Sequence, residues 1–183
     1  MLIDELKNIA RNNGIVGAGG AGFPAYAKMT EKADTVILNC VECEPLLKLH
    51  RQLLATHTEE IIQMLDEVRE SFGAKEAVIG IKSEYVTTIK AIEEVIGDFP
   101  NVRICALKAA YPMGDEVVLI YEATGRVIKP GGLPIDENVV VYNVETMYNL
   151  YRAVHLNIPV TNKLVSIVGE IDHPLTVRVP LGT

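Results

Sequence analysis

The sequence predicts an α/β fold, a mostly parallel sheet with helices on both faces, followed by the start of a small β-rich module. Three observations carry this expectation. Short, continuously apolar, β-branched runs alternate with amphipathic helical stretches along most of the chain, the order produced when crossover helices join parallel strands. Glycine, proline and asparagine punctuate the junctions. After Pro159 the alternation stops, and two strand-like runs follow one another with no helix between them.

The elements can be justified in order. Residues 2–12 (LIDELKNIARN) place Leu2, Leu6 and Ile9 at helical spacing, and Asn12, Asn13 and Gly14 end the pattern. A glycine-rich loop, GIVGAGGAGFP, runs from Gly14 to Pro24, and Pro24 suits the first turn of a short helix reaching about Thr30. Thr35 to Leu38 (TVIL) reads as a strand buried on both faces, and it runs into Asn39 and the segment CVECEP. A helix over about 57–71 carries an apolar stripe of Ile61, Ile62, Leu65 and Val68, extended by Phe72, with Gly73 as its stop. Ala77–Ile81 is the next strand, 84–96 the next helix and Val102–Leu107 the strand after it. The loop KAAYPMGD leads to a helix over about 115–124 that Gly125 can close. KPGGLP (129–134) is a turn-rich loop, Val139–Tyr142 a last short strand of the sheet, and 144–155 a further helix. The sequence then changes character: LVSIVGEI and TVRVP read as strands joined at Asp172-His173-Pro174. The expected division is a Rossmann-like or flavodoxin-like α/β domain over residues 1–158 and a β-rich module that opens at 159–183 and continues beyond this chain.

Composition narrows the function classes. With 183 residues, 49% of them hydrophobic and 22% charged, the chain has ample material for a buried core. A net charge of −7 argues against a nucleic-acid surface, which needs a clustered basic face. The nearest basic cluster, Lys48, His50 and Arg51, reads as a solvated helix start. No stretch approaches the roughly 20 apolar residues that span a bilayer, so any membrane association is expected to be peripheral and through partners. Three cysteines, an odd number, suit a reducing cytoplasm better than a disulfide framework.

The glycine loop is the strongest local signal. Gly17, Gly19 and Gly22 satisfy G-x-G-x-x-G. The dinucleotide fingerprint, however, leaves a strand directly and places an acid about 20 residues on. Here only Ile15 and Val16 separate the glycines from a helical segment, and the distal position is Asn39, with the nearest acid at Glu42. An ordinary NAD-binding reading therefore fails on context. Two readings of the loop stand side by side: a backbone nest that approaches a flat or anionic ligand, and a tight loop that packs helix on sheet.

Four motifs in sequence order sharpen the choice: GIVGAGGAGFPAYAK, DTVILNCVECEPLL, YPMGDEVVLIYEATGRVIKPGGLP and VVVYNVETMYNL. Over about residues 10–155 they resemble the flavin-binding domain shared by the NADH-binding flavoprotein subunit of respiratory complex I and the C subunit of Rnf electron-transport complexes. The cobalamin reductase of propanediol-utilising microcompartments belongs to the second branch. The resemblance is closer to that branch. Complex I proteins read N-A-D-E-S-E-P where this chain has Asn39-Cys-Val-Glu-Cys-Glu-Pro45, and Rnf-type proteins carry Cys at the position of Cys43.

The resemblance implies an NADH:acceptor oxidoreductase domain in which FMN lies across the C-terminal edge of the sheet. The backbone at Gly17, Gly19, Gly20 and Gly22 would approach the flavin, and Lys28 would bring positive charge to it. Asn39 and Glu42 would meet its polar groups, while Tyr111, Gly114, Asp115 and Glu116 would line the nicotinamide side. Asn143 and Thr146 would help hold the phosphate or ribityl chain. Glu42, Asp115 and Glu116 are candidate tuners of the potential, because nearby carboxylates disfavour an anionic reduced flavin; Asp115 and Glu116 would also position the substrate. A ubiquitin-like (SLBB-type) module would follow, and other redox subunits or an iron–sulfur domain, with any 4Fe–4S cluster outside this chain, would receive the electrons. Complex I proteins carry Asp at the position of Val41 and Asn at that of Tyr142, so a scaffold that docks partner subunits without flavin remains the alternative.

Other constellations are weaker. Cys40 and Cys43 form C-V-E-C, yet a cluster normally needs four thiolates and only Cys105 remains. Zinc bound by Cys40, Cys43, His50 and His57 would have odd ligand spacing, so no metal site is expected. Cys43 reads as a small loop residue and Cys105 as a buried strand residue. His50, His57, His155 and His173 show no partner pattern and read as surface or loop histidines. Met64 and Tyr148 sit at core-like helical positions, and no G-x-S-x-G elbow supports hydrolase chemistry.

Overall fold

The structure, a computed structural model, describes residues 1–20 and 22–183; Ala21, inside the glycine loop, lies outside them. Helix α1 (Ile3–Asn12) opens the chain, and strand β1 (Thr35–Cys40) follows the glycine loop. Then come α2 (Leu49–Thr56), α3 (Thr58–Phe72), β2 (Glu76–Lys82), α4 (Val86–Val95), β3 (Val102–Leu107) and α5 (Glu116–Thr124). The strand β4 (Val139–Asn143) runs straight into α6 (Val144–Leu156), and β5 (Asn162–Ile167) and β6 (Leu175–Pro180) close the chain.

The first four strands form one parallel sheet in the order β3-β2-β1-β4. The two inner strands are buried almost throughout, which is why they read as unbroken apolar runs rather than alternating ones. Successive side chains point to opposite faces, and each face has its own core. Val36, Leu38, Ile79, Ile81, Val140 and Tyr142 meet α1, α3, α4, α6 and Leu54 of α2. Ile37, Val78, Val139 and Val141 meet Leu119, Ile120 and Ala123 of α5. The expected two-sided cover is present but lopsided, with one helix carrying the second face. That helix lies so close that a Cβ on Gly80 of β2 would come 2.5 Å from Leu119 Cδ1.

Two expectations about elements change. The helix anticipated from Pro24 to Thr30 is a single 3-10 turn, Ala25–Lys28. Helix α2 lies where the sequence suggested only a helix start; it and α3 meet at His57, which closes one and opens the other. Both glycines expected to stop helices do so in the left-handed region, Gly73 at φ 68° and Gly125 at φ 73°. The C-terminal strands pair antiparallel in a separate two-stranded sheet, from Asn162 opposite Pro180 to Ile167 opposite Leu175. No helix among the described residues is long and apolar enough to cross a membrane.

Candidate functional site

Parallel strands end together, and at the C-terminal edge of this sheet Asn39 of β1 stands in register with Asn143 of β4. Such an edge, where strands give way to loops and helix starts, is the common ligand position in α/β sheets. Two segments meet on it, and a third group borders it along the outer edge of β4.

The glycine loop lies against the start of α6. The Ala18 amide donates to Thr146 Oγ1 at 2.9 Å, and that hydroxyl lies 3.4 Å from the Val16 carbonyl oxygen. A Cβ on Gly19 would sit 2.7 Å from Asn143 Nδ2, so any larger residue here must displace the Asn143 side chain, whereas Gly20 and Gly22 face open space. Asn143 precedes α6 without capping it through its side chain, which leaves the amides of the first helical turn available to an acceptor. The sequence placed a helix start after the loop, at Pro24. The helix N-terminus beside the loop is instead that of α6, more than a hundred residues away.

Asn39 closes the end of β1. Its Nδ2 donates to the Gly114 carbonyl at 3.0 Å and its Oδ1 accepts from the Val41 amide at 2.9 Å. Gly114 is packed so tightly that a Cβ would fall 2.2 Å from Val41 O and 2.8 Å from Cys43 Sγ. Asp115 caps α5, its Oδ1 accepting from the amides of Val117 and Val118.

Lys28 and Glu116 form the third group, an ion pair at 3.3 Å in which Lys28 Nζ also donates to the Val141 carbonyl. They stand in a cleft of about 550 Å³ that runs along the outer edge of β4, with apolar walls that include Phe23, Ala27, Leu133, Val139, Val140 and Val141. Phe23 is 53% exposed, and sequence reasoning did not single it out. The signal was present in an aromatic side chain following five glycines.

Two of the sequence-derived candidates make no contact with these groups. Tyr111 is 82% exposed, three residues before Gly114. Glu42 is buried on the face of the sheet opposite Asn39: Oε1 accepts from the His50 amide at 2.9 Å, and Oε2 lies 3.7 Å from Arg51 Nε without a hydrogen-bond donor among the described residues. Burial raises its carboxyl above the usual range, although the Arg51 charge works the other way.

The same region corrects several expectations about single residues. Arg51 is not solvated; it pairs with Glu42 and lies 4.4 Å from the Tyr85 ring centroid. His50 is half-buried and its imidazole is pushed down to about 4, by burial first and by the nearby Lys163 charge second. His57 stacks on Tyr148 and bonds Glu60, and His155 pairs with Glu67 at 3.0 Å, so neither is a bare surface group. Cys105 is only half-buried, because β3 is an edge strand.

Comparison with known proteins gives this edge a context. The family model described as the Nuo51 FMN-binding domain matches residues 10–152. The chain belongs to the Nuo51 FMN-binding domain family. Among curated relatives, the domain is 40% identical to cobalamin reductase PduS of Salmonella typhimurium, over 98% of this chain and 39% of the relative. It is 33% identical to the C subunit of the Na(+)-translocating ferredoxin:NAD(+) oxidoreductase complex of Acetobacterium woodii, over 98% of this chain and 42% of that protein. This Nuo51-type chain thus spans about two fifths of the length of these relatives. The fold is also that of a chain in the NAD+-reducing [NiFe]-hydrogenase in its H2-reduced state, with a TM-score of 0.80 at 23% identity over 99% of this chain and 37% of that one.

Proposed function

We propose that this domain holds FMN across the C-terminal edge of its sheet, where NADH reduces it and a downstream carrier takes the electrons away. The observation that carries the reading is the convergence of the glycine loop, the Asn39–Asn143 pair and the uncapped start of α6 on one edge.

The residues present suit FMN. Gly19 leaves the Asn143 side chain in place, where a Cβ would displace it, while Gly20 and Gly22 border open space, as a backbone cradle for a flat ring requires. The first-turn amides of α6 suit the phosphate, with Thr146 fixing the loop above them. Lys28, held by Glu116 and the Val141 carbonyl, brings a fixed positive charge to the cleft. When bound, the flavin would supply both hydride acceptance and single-electron transfer. The apolar walls at Phe23 and Leu133 would seat a planar ring of the dinucleotide and exclude water from it. Asp115 and Gly114 would act indirectly, by fixing the loop that presents Glu116. Glu116 would lower the flavin potential by its charge, partly offset by Lys28; an unchanged midpoint potential in Glu116→Gln removes that role. The similarity to a ferredoxin:NAD(+) oxidoreductase subunit supports oxidoreductase chemistry with NAD, and the acceptor would be another redox subunit or an iron–sulfur domain, in a cytoplasmic setting.

The flavin-free docking scaffold was suggested by two departures from the complex I pattern, and both residues have a packing role. Val41 and Tyr142 are buried in the two cores, and the Tyr142 hydroxyl is turned 3.4 Å from the Ala25 carbonyl oxygen. A titration of FMN by fluorescence quenching, followed by anaerobic addition of NADH, tests the choice. Saturable quenching and then bleaching of the flavin are expected. Absence of quenching at a large protein excess overturns the flavin reading.

A further inference from the structure

The C-terminal hairpin reaches the glycine loop through one side chain. Lys163, on β5, donates to the Ala18 carbonyl oxygen and pairs with Glu145 Oε2 at 2.7 Å. Glu145 lies in the first turn of α6 and its side chain is only 4% exposed. Its second oxygen accepts from the Leu164 amide at 3.3 Å. Ala18 is therefore held from both sides: its amide by Thr146 of α6, its carbonyl by Lys163 of the hairpin.

We infer that Lys163 is a positioning residue for the cofactor loop, fixing the turn at Gly17–Gly20 through the Ala18 carbonyl and neutralising Glu145 beneath it. The inference rests on the flavin reading for its functional consequence, though not for its structural one. A buried carboxylate needs a partner, and Glu145 sits beside the helix start proposed for the phosphate. Without the ammonium, the Ala18 carbonyl loses its donor and an unbalanced negative charge faces the position of an anionic ligand. A turn of glycines has little side-chain packing of its own to keep its amides aimed, so its shape depends on outside contacts such as these. The β-rich module is thereby coupled to the site: displacing the hairpin removes the lysine.

Full-length Lys163→Met, Lys163→Arg and a Ser166→Ala control test this. The control removes the Ser166–Thr176 side-chain hydrogen bond of the same hairpin without touching Glu145. In the ligand-free chain, exchange of the Ala18 amide, which donates to Thr146 Oγ1, should quicken about tenfold or more in Lys163→Met, but not in Ser166→Ala. Unchanged exchange at Ala18 overturns the inference. FMN affinity should fall about tenfold or more in Lys163→Met and stay within about threefold of the parent in Lys163→Arg, whose guanidinium can reach both acceptors. A parent chain that binds FMN, with Lys163→Met binding it equally well, also overturns the inference. A parent chain that takes up no FMN overturns the flavin reading, and the exchange comparison still decides the role of Lys163. Should Lys163→Met not fold, the double variant Lys163→Gln with Glu145→Gln removes both charges and carries the same exchange comparison.

Discussion

At Gly114 a methyl group would meet the Val41 carbonyl oxygen at 2.2 Å, whereas at Gly19 it would meet the Asn143 side-chain amide at 2.7 Å. The first obstacle is backbone and cannot rotate away; the second is the end of a side chain that can. Gly114→Ala should therefore cost stability, about 2–4 kcal/mol by chemical denaturation, as overpacking at a rigid site does. Gly19→Ala should cost little stability but lower FMN affinity by displacing Asn143. Equal stability losses at the two sites would refute this division. His50 gives a pH-dependent counterpart. Its imidazole falls from an ordinary 6.5 to about 4 in the folded chain, so the unfolded chain binds a proton first as pH falls. The stability is thus complete above about 6.5 and is lost toward about 4, by on the order of 2 kcal/mol. Glu42, whose carboxyl is held high, works in the opposite sense in part of that range. A pH series of unfolding free energies should show a shallower acid decline in His50→Asn than in the parent, and parallel curves would exclude His50 as the cause.

Among the elements, α5 is the exposed joint, because it alone covers the second face of the sheet. Its start depends on one capping side chain, so Asp115→Ala should lower stability by about 1 kcal/mol. The same change should loosen Glu116 and with it the Lys28 contact, and a thermal midpoint unchanged from the parent would contradict the capping role. The strands were legible in the sequence because β1 and β2 are buried on both faces and therefore stay apolar throughout. Helix α2 was not, because it has no side-chain cap, no acidic residue in its first turn and only Leu54 fully packed. The glycine loop and Asn39 were legible by residue type at turns, whereas Asn143 was legible only through the resemblance carried by VVVYNVETMYNL. Glu42 was legible as an acid at the end of β1 but not as the partner of Arg51, and Lys163 was not legible at all. A charge declares its role through a neighbour in space, and no local periodicity marks that neighbour.

Across the whole molecule, the flavin reading draws on segments spread from the glycine loop to α6, and the titration with FMN and NADH tests them as one unit. The domain matches about two fifths of its curated relatives, and within that length both the sheet edge and the hairpin that touches its loop are present. The lopsided cover of the sheet sets five helices on one face and one on the other, and the start of α6 carries the five-helix face to the site edge. The hydrogen bond between Ala18 and Thr146 joins positions 128 residues apart. No local folding step can close such a contact, since its loop-closure entropy is recovered only once the sheet is complete. During synthesis, the glycine loop is among the first parts of this chain to leave the ribosome and among the last to acquire its shape, and it must wait for α6 to emerge before any cofactor can be captured.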